Sequence, residues 1–210
     1  MTGPSSVQPR RPGDMLLLYA THDGQAGKIA YRISLRLAEH GISAPPRDLA
    51  IAAPAPAELA TAPLIAVIAA VRYGGHLQAA ERLLAGYRNS RSRAPLVFVS
   101  VNLTARKPGR DSVQTNRYLR KSLARHRLTP AFAAAVAGRL DYPRYGWMDR
   151  QIIRLIMKLT GGPTDPQTCT EFTDWHAVDT IARRIAERLE RCGETRPEHD
   201  ESADCRMLIC

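Results

Sequence analysis

The sequence predicts an α/β fold: a doubly wound, five-stranded parallel sheet in the order 2-1-3-4-5, with an aromatic and basic helical segment inserted after the fifth strand. Three observations predict it. Short apolar runs, Leu16–Ala20, Leu64–Val71 and Leu96–Val101, lack the alternation of a half-solvated strand and read as strands buried on both faces. Amphipathic helical patterns separate them, which is how parallel strands are connected. Each of these strands runs straight into a polar loop, and in this topology all such loops fall along one edge of the sheet.

The elements follow in order. Residues 1–13 are rich in Pro, Gly, Ser and Arg, the composition of a disordered extension, with Met15 as a second possible start. Leu16–Ala20 (LLLYA) is the first strand and Thr21–Gly27 (THDGQAG) a turn. Lys28–His40 is helical, with Ile29, Ile33 and Leu37 on one face and Gly41 as its stop. In the Ala/Pro-rich segment 42–62, Ile42–Ala44 is read as a short edge strand ended by Pro45-Pro46. Leu64–Val71 (LIAVIAAV) is the third strand, Arg72–His76 (RYGGH) a loop, and Leu77–Arg88 a helix. Leu96–Val101 (LVFVSV) is the fourth strand, followed by the loop Asn102–Arg110 and a basic helix over Ser112–Arg125. Phe132–Leu140 (FAAAVAGRL) is the fifth strand. Asp174–Arg191 is an amphipathic helix with Val178, Ile181, Ile185 and Leu189 inward. One domain therefore covers residues 14–192, with an insert at about 141–173 and a polar, flexible tail at 193–210.

Within the insert, Asp141–Gly162 gathers aromatics, arginines and a short cationic helix. Met148, Ile152, Leu155, Ile156 and Leu159 share one helical face, while Arg150, Arg154 and Lys158 form a separate stripe spaced by four. Gly161-Gly162 ends the helix. Such a helix fits either a protein core or a membrane interface.

The 210-residue chain carries a net charge of +10, which favours anionic partners: nucleic acid, acidic headgroups, or a ligand with phosphate or carboxylates. The arginines are scattered, and neither zinc-finger spacing nor an RNA-binding aromatic signature is present, so no nucleic-acid partner is expected. Cys169, Cys192, Cys205 and Cys210 form no CxxC and no metal-ligand cluster, as expected of a reduced, intracellular protein without a metal. The N-terminus lacks a secretory h-region, and the longest apolar run is far too short to span a bilayer, so any membrane attachment is expected to be peripheral.

Three loops carry the candidate binding groups. In the first, Thr21, His22, Asp23, Gly24 and Gln25 lead into a helix N-terminus, where free N–H groups and the helix dipole favour a phosphate. Gly24 permits close backbone approach and Thr21 offers a hydroxyl. The segment is not a GxGxxG, and Gly24–Ile29 lacks the spacing and final Ser/Thr of a P-loop. In the second, Arg72, Tyr73 and Gly74 offer a cation, a stacking plane and flexibility; His76 either donates to a ligand or caps the next helix. In the third, Ser100, Val101, Asn102 and Leu103 offer backbone and amide groups able to read a flavin pyrimidine edge.

SVNLTARK (Ser100–Lys107), Gln114-Thr115-Asn116, YPRYGWMDR (Tyr142–Arg150), Leu155–Lys158, Gly161-Gly162 and Thr173-Asp174-Trp175 resemble the bacterial menaquinone-dependent protoporphyrinogen oxidases, a flavodoxin-like family. Thr21 with Asp23–Gln25, and Arg72–Gly74, fit the same family. The resemblance spans about Met15–Leu189. His22 stands where this family can carry arginine, and Ala26 where flavodoxins usually have threonine; the missing hydroxyl removes one phosphate hydrogen bond, about 0.5–1.5 kcal/mol.

The resemblance implies one non-covalent FMN per chain and the oxidation of protoporphyrinogen IX to protoporphyrin IX in haem biosynthesis. It implies menaquinone or another membrane quinone as acceptor, and a peripheral place on the cytoplasmic face of the bacterial inner membrane, against its anionic surface. The flavin would lie on Thr21–Gln25 and between the second and third loops. Arg106, Lys107, Arg144 and Arg150 are expected to hold the substrate's propionates, a task suited to the guanidinium fork. Tyr142, Tyr145 and Trp147 would flank its ring system. Ile152, Arg154, Leu155, Ile156, Lys158 and Leu159 would face membrane and quinone. No residue stands out as a general base, and the sequence carries no signal of oligomeric state. Two rivals remain at this point: a flavodoxin-type carrier or quinone reductase with another donor, and a non-enzymatic basic protein binding nucleic acid or membrane.

Overall fold

A computed structural model describes residues 15–90, 92–144, 146–159, 161–165 and 167–194, except the side chains of Arg144, Asp149, Ile152, Ile156, Leu159 and residues 192–194. Five parallel strands form the sheet: β1 (Leu16–Ala20), β2 (Pro46–Asp48), β3 (Ile65–Arg72), β5 (Leu96–Val101) and β6 (Phe132–Val136), in the order β2-β1-β3-β5-β6. This is the predicted 2-1-3-4-5 arrangement of the flavodoxin-like fold. A two-residue strand, β4 (Gly75–His76), folds back antiparallel onto β3, pairing Val71 with His76. The second loop is thus a tight hairpin around Tyr73-Gly74.

The apolar runs are buried on both faces because helices cover both. Leu17, Ala66, Ile68, Val97 and Val99 pack under α1 (Gln25–Glu39) and α6 (Trp175–Glu194). The alternating neighbours Leu16, Leu18, Ile65, Val67, Leu96 and Phe98 pack under α2 (Pro56–Thr61), α3 (Gln78–Asn89) and α4 (Arg117–His126). Asp179 on α6 joins Arg32 and Arg36 on α1 at 2.7–3.0 Å; hydrogen bonds from both guanidinium groups hold its carboxyl well below the usual carboxylate range.

Four boundaries differ from the sequence reading. The second strand is Pro46–Asp48 rather than Ile42–Ala44. The Ile42 N–H is already bound to Leu37 O at 3.0 Å, closing the end of α1 across left-handed Gly41, so it is not available to a sheet. Helix α1 starts three residues earlier than expected, its first bond running from Lys28 N–H to Gly24 O. Residues 112–116 are a turn: Asn116 accepts from the N–H groups of Tyr118 and Leu119 and is the N-cap of α4.

The expected strand Phe132–Leu140 divides at Gly138. Beyond it β7 (Arg139–Asp141) leaves the sheet and pairs antiparallel with β8 (Cys169–Glu171). Between them lies α5 (Trp147–Leu159). Leu140, Tyr142 and Met157 form a separate small core with Leu103, Ile153 and Phe172 against it. Helix α5 therefore turns Ile153 and Met157 inward. Met148 and Leu155, on the opposite side of a 3.6-residue helix, are 68% and 59% exposed. Among the described residues, no helix is long and apolar enough to cross a membrane.

Candidate functional site

The loops after β1, β3 and β5 meet at the carboxyl edge of the sheet, around a cleft of about 270 Å³. Its first wall is the start of α1. Gly24 adopts φ +88°, a conformation that glycine takes without strain. The Gly24 N–H donates to Thr21 Oγ1 at 3.0 Å, which leaves the Thr21 hydroxyl hydrogen available to the cleft. Because the helical ladder begins with the Lys28 N–H, it leaves the N–H groups of Gln25, Ala26 and Gly27 to face an incoming anion.

The Gln25 side chain is engaged elsewhere. Its Nε2 donates to Thr173 Oγ1 at 2.8 Å and Glu171 Oε1 at 3.2 Å, and Thr173 Oγ1 donates to Ala137 O at 2.9 Å. Gln25 thus ties the anion cradle to the strand that closes the insert. His22 is exposed and pairs with Asp23 at 3.0 Å, outside the cleft lining.

The second wall is the β3–β4 hairpin. Tyr73 has φ +49°, is 70% exposed and presents its ring at the rim, with the Arg72 guanidinium 5.2 Å from the ring centroid. Arg72 also lies 3.5 Å from Asp23, linking the first two loops. The third wall is Val101–Leu103, continuing into a 3-10 turn over Leu103–Arg106 that carries Thr104, Arg106 and Lys107 to the rim. Arg106 Nη1 donates to Leu103 O at 2.9 Å. Among the lining residues Asp23 is the one acid, set against Arg72, Arg106, Lys107, Arg110 and Arg139. Cations held around a partly apolar cleft favour a planar ligand with several negative charges.

Some expected groups lie elsewhere. His76 and Ser100 sit beneath the cleft, bonded to each other at 2.8 Å, with the His76 ring 4.9 Å from Phe98. The Asn102 side chain is likewise turned inward: it caps the 3-10 turn and bonds Ser100 and Asn116. Only the backbone of residues 101–103 remains to read a ring edge. Tyr142 is fully buried and donates from its hydroxyl to Pro163 O at 2.9 Å. Burial pushes its phenol up in pKa, against the opposing influence of Arg154 and Arg106. Tyr142 therefore holds the insert together and does not flank the cleft.

Trp147, 74% exposed, also lies off the cleft, at the start of α5. Arg150 is outside the lining as well, and Arg154 donates from Nε to Thr164 O at 3.0 Å. Lys158 is exposed. Tyr145 and the side chains of Arg144, Ile152, Ile156 and Leu159 lie outside the described residues.

The sequence reading missed Arg110, Tyr118, Arg139 and Ile153 in the lining. Arg110 and Tyr118 flank the quoted Gln114–Asn116 string, and the turn at residues 112–116 carries them to the rim. Arg139 falls within the expected fifth strand, Phe132–Leu140; the departure of β7 from the sheet instead places it in the cleft lining, beside Asp141 at 3.1 Å and Cys169 Sγ at 2.8 Å.

Comparison with known proteins agrees with this geometry. The flavodoxin domain family model matches residues 16–167. The chain is 37% identical over 177 residues to a protein of Escherichia coli strain K12 named protoporphyrinogen IX dehydrogenase [quinone], covering 84% of this chain and 96% of that one. A Leishmania major protein of the same name is 41% identical over 118 residues, 56% of this chain and 51% of that one. Among solved structures, an archaeal flavodoxin superimposes with a TM-score of 0.51 at 12% identity, covering 84% of this chain and 99% of that chain, a likeness of fold.

Proposed function

Because the chain belongs to the flavodoxin domain family, and within it to the proteins named protoporphyrinogen IX dehydrogenase [quinone], we propose that it oxidises protoporphyrinogen IX to protoporphyrin IX with one non-covalent FMN per chain and menaquinone as acceptor. The observation that carries the reading is the cradle of N–H groups at Gln25–Gly27, beside left-handed Gly24, opening directly into a cleft ringed by five cations.

The residues fit FMN. The Gln25, Ala26 and Gly27 N–H groups and the Thr21 hydroxyl suit a phosphate. The Arg72–Gly74 hairpin, Val101–Leu103, Ala70 and Val71 line the same cleft, where a flavin ring would be received. FMN, when bound, supplies two-electron oxidation, and the loss of six hydrogens requires three rounds per product.

The chain's own groups bind and orient. Arg106 and Lys107, joined by Arg110 and Arg139, line the open side of the cleft where two propionates would be held. The apolar walls from Leu103 and Ile153 fit the macrocycle and exclude water from its reacting edge. No side chain in the lining is assigned as a general base; the pyrrole protons leave to solvent.

Helix α5 supports the membrane side of the reading. Trp147, Met148 and Leu155 are exposed and apolar, with Lys158 exposed on the same short helix. That combination suits a peripheral helix on an anionic leaflet, at the cytoplasmic face of the inner membrane, where a quinone is reached. The test is direct. Purified protein is expected to be yellow and to release FMN on denaturation; colourless protein that FMN cannot reconstitute would overturn the flavin reading. Flavin reduction by a nicotinamide nucleotide but not by the porphyrinogen would favour a quinone reductase instead.

A further inference from the structure

A chain of buried polar groups runs beneath the cleft. It begins at Glu81 on α3, whose Oε2 is 2.7 Å from His126 Nε2 and 3.2 Å from Arg125 Nη1, and whose Oε1 accepts from Ser122 Oγ at 3.0 Å. His76 Nδ1 lies 3.6 Å from Glu81 Oε1, and His76 Nε2 lies 2.8 Å from Ser100 Oγ. Asn102 Nδ2 donates to Ser100 Oγ at 3.0 Å. Asn102 Oδ1 accepts from the Ala105 N–H at 3.1 Å and from Asn116 Nδ2 at 3.2 Å. The His76 side chain is 1% exposed, Ser100 is 0% and Asn102 4%, so none of these groups can exchange a lost partner for water without rearrangement.

Donor and acceptor roles propagate along this chain. A carboxylate only accepts and repels a lone pair, so Glu81 Oε1, 3.6 Å from Nδ1 and too far for a hydrogen bond, favours a hydrogen on that nitrogen by charge. In the neutral ring Nε2 is then an acceptor, and the Ser100 hydroxyl donates to it. The Ser100 oxygen is left to accept from Asn102 Nδ2. The Ala105 N–H can only donate, so it faces Asn102 Oδ1, the cap of the turn carrying Leu103, Thr104 and Arg106 to the cleft, and leaves Nδ2 toward the Ser100 oxygen that the Nδ1–H tautomer of His76 keeps free for it. With the other tautomer, His76 and Asn102 would both donate to Ser100, and the Ser100 hydrogen would lose its present acceptor.

We propose that His76 is a positioning residue. Held as its Nδ1–H tautomer by the Glu81 carboxylate, it orders Ser100 and Asn102 and so sets the turn Leu103–Arg106 that forms one wall of the cofactor and substrate cleft. Its effect on ligand binding rests on the flavin reading above; the tautomer and the turn do not.

Two measurements test it on the full chain. Nitrogen-15 NMR of the protein without added flavin is expected to show neutral His76 protonated at Nδ1. Ser100→Ala is expected to shift the Ala105 amide. FMN titration followed by fluorescence is expected to give about tenfold weaker binding for Ser100→Ala and His76→Leu. His76→Gln, whose carbonyl oxygen can replace the Nε2 acceptor, is expected to bind close to wild type. An Nε2–H tautomer would overturn the proposal, as would equal affinity for His76→Leu and His76→Gln. If the wild-type protein does not bind FMN at all, the flavin reading fails, and the tautomer and the Ala105 shift decide the proposal by themselves.

Discussion

Asn116 joins the fold to the rim of the cleft, and its replacement by alanine can be worked out bond by bond. The residue is fully buried. Its Oδ1 caps α4 by accepting from the Tyr118 and Leu119 N–H groups at 3.1 and 3.4 Å. Its Nδ2 donates to Asn102 Oδ1 at 3.2 Å and Arg110 O at 2.9 Å. Loss of an N-cap costs about 1 kcal/mol. Each of the two Nδ2 hydrogen bonds lost costs about 1 kcal/mol more. Asn116→Ala is therefore expected to destabilise the chain by about 3 kcal/mol, a large share of a typical domain stability of roughly 5–15 kcal/mol.

Asn116→Asp separates the contributions: it keeps the capping oxygen but exchanges the donor for an acceptor facing two acceptors. It is expected to lose at least the two Nδ2 bonds, about 2 kcal/mol. Urea unfolding monitored by circular dichroism reads both values, and the midpoint is expected to move with little change in slope. FMN affinity is expected to fall in parallel, because Arg110 and the Asn102 turn lose their common anchor. A loss below about 1 kcal/mol for Asn116→Ala, or a stability loss with unchanged FMN affinity, would refute the view that this residue holds the cleft wall.

Other perturbations probe different parts. Gly24→Ala places a side chain at φ +88° with nothing within 4 Å of the new Cβ; the strain is purely conformational, about 1–2 kcal/mol, read by urea unfolding together with weaker FMN binding. Burial pushes Glu81 up, but the nearby His76 ring and hydrogen bonds with His126 and Ser122 prevail and bring it down to about 2 from its ordinary 4.5. Its folded-state pKa is depressed, so its stabilisation is complete above pH 4.5 and is lost as pH falls toward about 2. Acid unfolding of Glu81→Gln is expected to be flatter than wild type over that window. Arg154→Gln with Lys158→Gln removes two cations worth about 1 kcal/mol each near an anionic leaflet; flotation with phosphatidylserine vesicles is expected to show roughly thirtyfold weaker binding at unchanged FMN content.

The sheet was legible because its strands are continuous apolar runs, and such runs have one stable place in an α/β protein. Leu96–Val101 begins and ends where the composition changes. The second strand was not legible, because Pro46–Asp48 carries no apolar signal and is defined by its partner, β1. Ile42 looks like a strand residue but is spent on closing a helix. At the site, loop positions followed from topology, whereas side-chain direction did not. His76, Ser100 and Asn102 have the chemistry of ligand contacts, and only three-dimensional packing reveals that they bond one another beneath the cleft. Tyr142 and Trp147 share an aromatic-rich string, yet one is the centre of the insert's small core and the other is exposed. Arg139 reached the cleft because the chain breaks at Gly138, where an added Cβ would meet Val101 Cγ1 at 3.3 Å.

Anaerobic single-turnover spectroscopy of the FMN-reconstituted chain reaches the central claim most directly. Protoporphyrinogen IX is added first and a menaquinone analogue second, with flavin absorbance as the signal. The account predicts bleaching of the flavin by the porphyrinogen and full recovery of its absorbance on addition of the quinone. A flavin that stays oxidised in the presence of porphyrinogen, or that is reduced but not reoxidised by the quinone, would contradict it.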